Sequence, residues 1–197
     1  MGEKAVSKKQ LIIDKATEVF ATKGFRDVTM KDIVEACEIS RGGLYLYYDS
    51  TESLFLDVLK TQDELSTDSS KSFYDRLHDA TSTELLLWFL KEQKKEILQR
   101  KNSLSVAVYE YAFVCRQNLK KNSYKDGFET AGKVLEMILT RGLEAGEFEC
   151  DNPKATASNM MFAIEGMKIC ARTMGISEKK VDKELLYMMQ QFVEVEE

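Results

Sequence analysis

The sequence predicts an all-α protein of about nine helices, and three observations predict it. Apolar residues recur at helical spacing in nearly every long segment. Helix-start and helix-stop residues stand at the ends of those segments, and no strand-like alternation lasts beyond four residues outside them. One Pro in 197 residues leaves little room for interrupted β folds or Pro-rich linkers. A hydrophobic share of 44% is ample for the core of one large domain or two small ones.

The elements follow in order. Ile12, Ile13, Ala16, Val19 and Phe20 share one face of a first helix, which ends at Gly24. Thr29 followed by Asp32 is a capping box, in which each residue satisfies an exposed amide of the other. It opens a short helix with Ile33, Val34 and Cys37 on its apolar side. Ser40 caps another short helix, expected to run through Tyr47 or Tyr48. Asp49-Ser50 starts a longer one, about 51–72, with Leu54, Phe55, Val58, Leu59 and Gln62 along a stripe. Polar stretches near 61–71 and 77–83 suit a loop between helices.

The rest repeats this grammar with longer helices. Thr81 and Glu84 form a second capping box ahead of 85–99. Residues 103–119 carry Val106, Tyr109, Phe113 and Val114 at helical spacing. Ser123 opens a run to about Ala145, closed by Gly146. Asn152-Pro153 supplies a cap and a Pro at the first helical position, where its missing N–H costs nothing. That helix runs to Met174 and stops at Gly175. Ser177 begins the last, with Val181, Leu185, Met188, Met189 and Phe192 on one face.

Composition excludes several function classes. The longest fully apolar run, Leu85–Leu90, is far short of the roughly 20 residues that span a bilayer, and the first residues lack the apolar core of a secretory signal. A cytoplasmic protein without membrane partners is expected. Cys37, Cys115, Cys150 and Cys170 form no CxxC pair, and His78 is the sole histidine, so no metal site and no cofactor are expected. An enzyme lacks its parts: there is no Glu-x-x-His pair, no second imidazole and no phosphate-binding glycine loop with its Lys-Ser/Thr. Net charge is −5, and residues 1–60 carry nine basic against ten acidic side chains. Bulk charge therefore gives nucleic-acid binding no support, and any such reading rests on local geometry.

That geometry lies in residues 29–48. Two short helices joined by a three-residue turn around Glu38-Ile39-Ser40 have helix-turn-helix spacing, in which the second helix presents side chains to a groove. Arg41-Gly42-Gly43 at its start is a strange choice for a core helix, because each glycine costs about 1 kcal/mol relative to alanine. Glycines fit where a helix must approach a nucleic-acid backbone closely. Tyr45, Tyr47 and Tyr48 follow; a phenol can donate to a phosphate oxygen, although Tyr48 is spaced as a core residue. Arg41 suits a guanine edge or a phosphate, and Lys4, Lys8 and Lys9 form a small basic arm.

This stretch resembles the DNA-binding domain of the TetR family of bacterial transcriptional regulators. The likeness is carried by Ala16-Thr-Glu-Val-Phe20, Lys23-Gly-Phe25, Val28-Thr-Met-Lys-Asp-Ile33, Ser40-Arg-Gly-Gly-Leu-Tyr45 and Tyr48-Asp-Ser-Thr-Glu-Ser-Leu54. It is dense over about 7–66. Arg141-Gly-Leu-Glu-Ala-Gly-Glu-Phe148 and Ile164-Glu-Gly166 are similar to softer signatures of the family's C-terminal helices. The resemblance implies an N-terminal three-helix DNA-binding domain over 1–50 and a C-terminal helical bundle over 51–197 for effector binding and dimerisation. It implies that Thr29, Met30 and Lys31 touch phosphates, that Ser40, Arg41, Gly42, Gly43 and Leu44 lie at the major groove, and that Tyr45 and Tyr47 hold phosphates. Thr51 stands where the family usually has a phosphate-binding Lys, and Tyr48 where it usually has Phe.

The function implied is a dimeric repressor, released from a palindromic double-stranded operator by a small-molecule effector. One recognition helix reads only a few base pairs, and a homodimer places two about 34 Å apart, one DNA turn. Met160, Met161, Ile164, Met167 and Ala171 on one helix, with Leu185, Met188, Met189 and Phe192 on the next, form two apolar faces suited to the dimer interface. Trp88, Phe89, Tyr109, Tyr111, Phe113 and Met137 are candidates for an effector pocket. The competing reading is a helical ligand-binding or interaction protein that keeps the fold but has lost DNA binding.

Overall fold

The computed structural model describes residues 3–62, 77–99, 103–114, 123–190 and 192, with side chains from residue 7 onward except that of Ser123. The side chain of Lys4, all of Cys115, and the expected continuations of helices over 63–72 and 115–119 lie outside them. The described residues hold nine helical segments and no strand. They are α1 (Glu3–Lys23), α2 (Met30–Cys37), α3 (Arg41–Tyr45), α4 (from 51, described to 62), α5 (Ser82–Leu98), α6 (Ser105–Val114), α7 (Ser123–Glu144), α8 (Pro153–Thr173) and α9 (Glu178–Met189). Among the described residues, no helix is long and apolar enough to cross a membrane.

The helix ends stand at the residues that local chemistry marks. Thr29 and Thr81 each make the full capping box with Asp32 and Glu84, while Ser40, Asn152 and Ser177 cap α3, α8 and α9. Gly24, Gly146 and Gly175 take left-handed backbone just past α1, α7 and α8. Two expected ends differ. α3 closes at Tyr45 rather than at Tyr47 or Tyr48, as the Tyr47 and Tyr48 N–H groups both turn back to the Leu44 carbonyl. Phe192 lies beyond α9, where its carbonyl accepts from Glu149 N–H at 3.1 Å.

The chain divides into two compact units, Met1–Ser70 with Lys101–Tyr124, and Lys71–Arg100 with Lys125–Glu197. In the first, Ile12, Ala16 and Phe20 of α1, Ile33 of α2, Leu44 of α3 and Leu54, Phe55 and Val58 of α4 share one core, which α6 completes with Ala107 and Tyr111. So α4 and α6 belong to the same core as the helices before residue 50. Four rings fasten it: Phe25 stands 5.0 Å from Phe55 and 4.9 Å from Tyr111, and Phe20 stands 4.7 Å from Phe55. Gln62, expected on the α4 stripe, is exposed.

In the second unit α5 is clamped at both ends. The Glu147 carboxylate accepts from the Ser82 and Thr83 N–H groups at 3.0 and 2.9 Å and from the Thr83 hydroxyl at 3.0 Å. Burial works against that charge, yet these donors hold the carboxyl below the usual range. At the other end Arg172 donates to the carbonyls of Ile97 at 3.3 Å and Glu96 at 3.1 Å. An acid at the N-terminus and a guanidinium at the C-terminus both suit the helix dipole. Buried Lys168 of α8 bridges Glu96 at 2.9 Å and Glu165 at 3.0 Å.

The expected dimer faces are corrected here. Met160, Met161, Ile164, Met167, Leu185, Met188 and Phe192 are buried in this unit's own core, with Ala171 and Met189 packed against it. The most apolar strip of each helix is the one that gains most from burial, so α5 and α7 to α9 consume it internally. On α8 and α9 the large apolar side chains left in solvent include Phe162 (65% exposed), Ile169, Leu186 and Tyr187.

Candidate nucleic-acid interface

The first turn of α2 is a locked element. The Thr29 N–H donates to Asp32 Oδ2 at 2.7 Å, its hydroxyl does likewise at 2.7 Å, and the Asp32 N–H returns a bond to the hydroxyl at 3.3 Å. Lys23, from the end of α1, reaches the other Asp32 oxygen at 2.5 Å. Lys23 and then Thr29 hold the Asp32 carboxyl far below the usual range. With the cap satisfied internally, Thr29 and Lys31 are exposed and Met30 half-buried at the helix's positive end.

The turn is made by Glu38 in the left-handed region at φ 52, its N–H directed to the Glu35 and Val34 carbonyls. Ser40 then accepts from Gly43 N–H at 3.1 Å and starts α3. Ser40, Arg41, Gly42 and Tyr45 are exposed, Gly43 and Tyr47 half-buried, and the Arg41 guanidinium lies 5.6 Å from the centre of the Tyr45 ring. Thr51 is half-buried at the start of α4.

Leu44 is a correction, since it is fully buried and holds α3 against Ile33 and the rest of the core. Leu46, two residues on, is 84% exposed and is the apolar side chain this surface offers. The signal was in the sequence: with Leu44 and Tyr48 one helical turn apart and inward, residue 46 falls on the opposite side. Tyr48 is core, as its spacing suggested. Its hydroxyl donates to Asp57 Oδ2 at 2.6 Å, and burial, then that hydrogen bond, push the phenol well above its usual range.

Lys9 also departs from the basic arm expected of it. It pairs with Asp57 at 2.7 Å and lies over the Tyr48 ring, although both Lys8 and Lys9 are exposed. The six pocket candidates are divided. Trp88, Phe89 and Met137 belong to the second unit, and Tyr109, Tyr111 and Phe113 to the first. Phe89 and Tyr111 are spent on their units' cores, Trp88 packs on the second core, Tyr109 stacks edge-on with Tyr124, and Phe113 and Met137 are exposed. The second unit has a groove of about 270 Å³ between α8 and α9, floored by Met167, Cys170, Ile176 and Met188. Among the described residues, no three His, Cys, Asp or Glu side chains gather as a metal site.

Comparison with known proteins places these elements. Residues 12–58 match the model of bacterial regulatory proteins of the tetR family, and residues 85–182 match the tetracyclin repressor-like C-terminal domain. The HTH-type transcriptional regulator YfiR of Bacillus subtilis is 28% identical over 177 residues, 87% of this chain and 82% of that one. The HTH-type transcriptional repressor KstR2 of Rhodococcus jostii is 26% identical over 141 residues, 71% of this chain and 67% of its own. A transcriptional regulator of Saccharomonospora viridis solved with choline shares the fold at a TM-score of 0.80 and 19% identity, over 96% of this chain and all of that one.

Proposed function

The chain belongs to the TetR family of bacterial regulatory proteins and is a DNA-binding transcriptional regulator, and from that premise we propose a cytoplasmic homodimeric repressor that leaves its operator when a small molecule binds its C-terminal unit. The observation that carries the DNA-binding half is the surface of α2 and α3. Their apolar residues Ile33, Cys37 and Leu44 are buried while Thr29, Lys31, Ser40, Arg41 and Gly42 face solvent at two capped helix starts.

In this reading Thr29, Met30 and Lys31 meet backbone phosphates, and Ser40, Arg41, Gly42 and Gly43 enter the major groove. Tyr45 and Tyr47 take phosphates, Thr51 stands beside one, and Leu46 replaces Leu44 as the apolar contact to a thymine methyl. The dimer seam forms from the exposed faces of α8 and α9, with Phe162, Ile169, Leu186 and Tyr187 at its centre. The role is regulatory rather than catalytic. The choline of the S. viridis structure belongs to that protein, and a fold shared at 19% identity leaves this chain's effector to be found by titration. Trp88, the single tryptophan, packs on the core of the effector unit, so its fluorescence is a probe of that unit.

The test is recovery of genomic fragments by the purified protein, sequencing, and a salt titration on the best duplex. A palindrome with half-sites one turn apart, bound by a dimer and released by a compound that also shifts Trp88 emission, is expected. A folded dimer that enriches nothing over scrambled DNA would overturn the operator reading in favour of an interaction protein of the same fold.

A further inference from the structure

We propose that Glu110 is a positioning residue of the DNA-reading head, whose carboxylate fixes the turn between α1 and α2 and so presents the first turn of α2 to phosphate. The proposal rests on the DNA-binding reading above, and three observations carry it.

First, one carboxylate oxygen of Glu110, on α6, accepts the N–H groups of Phe25 at 2.7 Å and Arg26 at 3.0 Å, across more than eighty residues of chain. Second, the turn is shaped to admit it. Gly24 is left-handed at φ +80, and a Cβ there would stand 2.5 Å from the Glu110 oxygen. Any side chain at Gly24 would expel the carboxylate, so the glycine serves both the helix stop and the clamp. Third, the next residue of α6 makes a matching grip, as the Tyr111 hydroxyl donates to Glu52 at 3.1 Å, one position after Thr51. Consecutive residues of one helix thus hold the two segments, before α2 and at the start of α4, on which the phosphate contacts stand.

The clamp acts on placement because the lever is short. Phe25 is pinned on its inner side by the Phe55 and Tyr111 rings. Its backbone is pinned by Glu110, and only two residues separate Arg26 from the Thr29 cap. An acid next to a DNA-facing turn is electrostatically unfavourable for phosphate, so charge alone does not account for it. Two backbone donors need an acceptor, and a charged acceptor makes the stronger bonds. Operator competence of the head is thereby conditional on where α6 sits.

The experiment compares the full-length wild type with Glu110→Ala and Glu110→Gln on the duplex recovered by the wild type and on a scrambled one. Glu110→Ala is expected to weaken operator binding about tenfold or more. The slope of log K against log salt should flatten by about 0.9 for each phosphate lost, and binding to scrambled DNA, which rests on the same phosphate contacts, should weaken with it. Glu110→Gln, whose amide oxygen accepts the same two N–H groups, restores most of the affinity. Hydrogen exchange at Phe25 and Arg26 accelerates in Glu110→Ala, while exchange at Phe20 and Phe55 stays at the wild-type rate. Wild-type operator affinity and slope in a folded Glu110→Ala protein would overturn the proposal, as would a Glu110→Gln variant that regains amide protection but not affinity. If Glu110→Ala fails to fold, the Gln variant and wild-type exchange decide, and unprotected Phe25 and Arg26 amides overturn the clamp. A wild type that recovers no DNA overturns the operator reading instead, while exchange still reads the clamp.

Discussion

Gly42→Ala separates what the fold needs from what DNA needs. Gly42 is the second residue of the five-residue α3, outside the left-handed region, and a Cβ built on it meets nothing within 4 Å. Nothing inside the protein therefore asks for glycine there. Alanine should stabilise the helix by about 0.5–1 kcal/mol, worth a rise of about 1–4 °C in Tm for a chain of this size. In the proposed complex the same methyl group would stand where the groove wall approaches. Displacing one close groove contact costs about 1–3 kcal/mol, and a dimer makes the contact twice. At the low end that is about thirtyfold in affinity, with 1.4 kcal/mol per factor of ten. Gly43→Ala is a poorer probe, because its Cβ would stand 3.1 Å from the Ser40 hydroxyl and disturb the cap itself. Thermal melting and fluorescence anisotropy on the operator, at one salt concentration, measure both effects. A Gly42→Ala protein that melts higher and binds the operator as tightly as the wild type would refute the close approach.

Three further outcomes are expected. Thr51→Lys, restoring the charge usual at the start of α4, should tighten operator binding at low salt and steepen the salt slope by about 1.8 for two half-sites, so an unchanged slope in a salt titration argues against a phosphate beside residue 51. In α7, a Cβ on Gly142 would stand 2.0 Å from the Phe148 ring whereas one on Gly132 finds only Met161, at 3.8 Å. Gly142→Ala should therefore cost about 1–3 kcal/mol and Gly132→Ala gain up to about 1 kcal/mol; equal urea midpoints would contradict that packing. The depressed Asp32 carboxyl contributes stability that is fully present above the ordinary Asp value of 3.8 and drains away as pH falls below it. Urea midpoints between pH 5 and pH 2 should fall more for the wild type than for Asp32→Asn, and parallel curves would deny the cap its electrostatic share.

Legibility followed the range of the interaction. A capping hydroxyl with a carboxylate three residues on, or a glycine after the last helical turn, is a signal contained within four residues. Thr29-Asp32, Thr81-Glu84, Asn152-Pro153 and Gly146 were therefore all readable. Periodicity says that a helix has an apolar face, not what covers it. For α8 and α9 the face of Met160, Ile164 and Leu185 looked like an interface because it was the most apolar, and that same property committed it to the core. Leu44 was readable: Tyr48, spaced as a core residue, lies one helical turn on, so both share the inward side and Leu46 falls opposite. Nothing local announces Glu110, since its partners are backbone groups more than eighty residues away. The pairing of Lys9 with Asp57 is likewise a product of the fold.

The near-neutral charge of the head takes on meaning once those pairs are known. Lys9 and Lys23 are tied to partly shielded acids, Asp57 and Asp32, at 2.7 and 2.5 Å, and each acid also takes a side-chain hydroxyl bond, from Tyr48 or Thr29. Those lysines are engaged by acids that also hold a hydroxyl, so redirecting them to phosphate gives up a contact. Lys31 is different. Its bridge to Glu35 spans 3.6 Å between two well-exposed side chains, a contact worth little in water and readily exchanged for a phosphate oxygen. A head in which nine basic side chains face ten acidic ones has little sequence-independent attraction for DNA, since that attraction scales with the phosphates it neutralises. Affinity then has to come from groups that act only at correct geometry: amides and hydroxyls at capped helix starts, a glycine-thin approach at Gly42, and two heads at one spacing. Such a site loses its operator when α2 or the spacing shifts slightly, because little non-specific attraction remains to hold it. A neutral head is in this sense more easily released than a basic head would be, and if Glu110 places the α1–α2 turn as proposed, that placement bears directly on release.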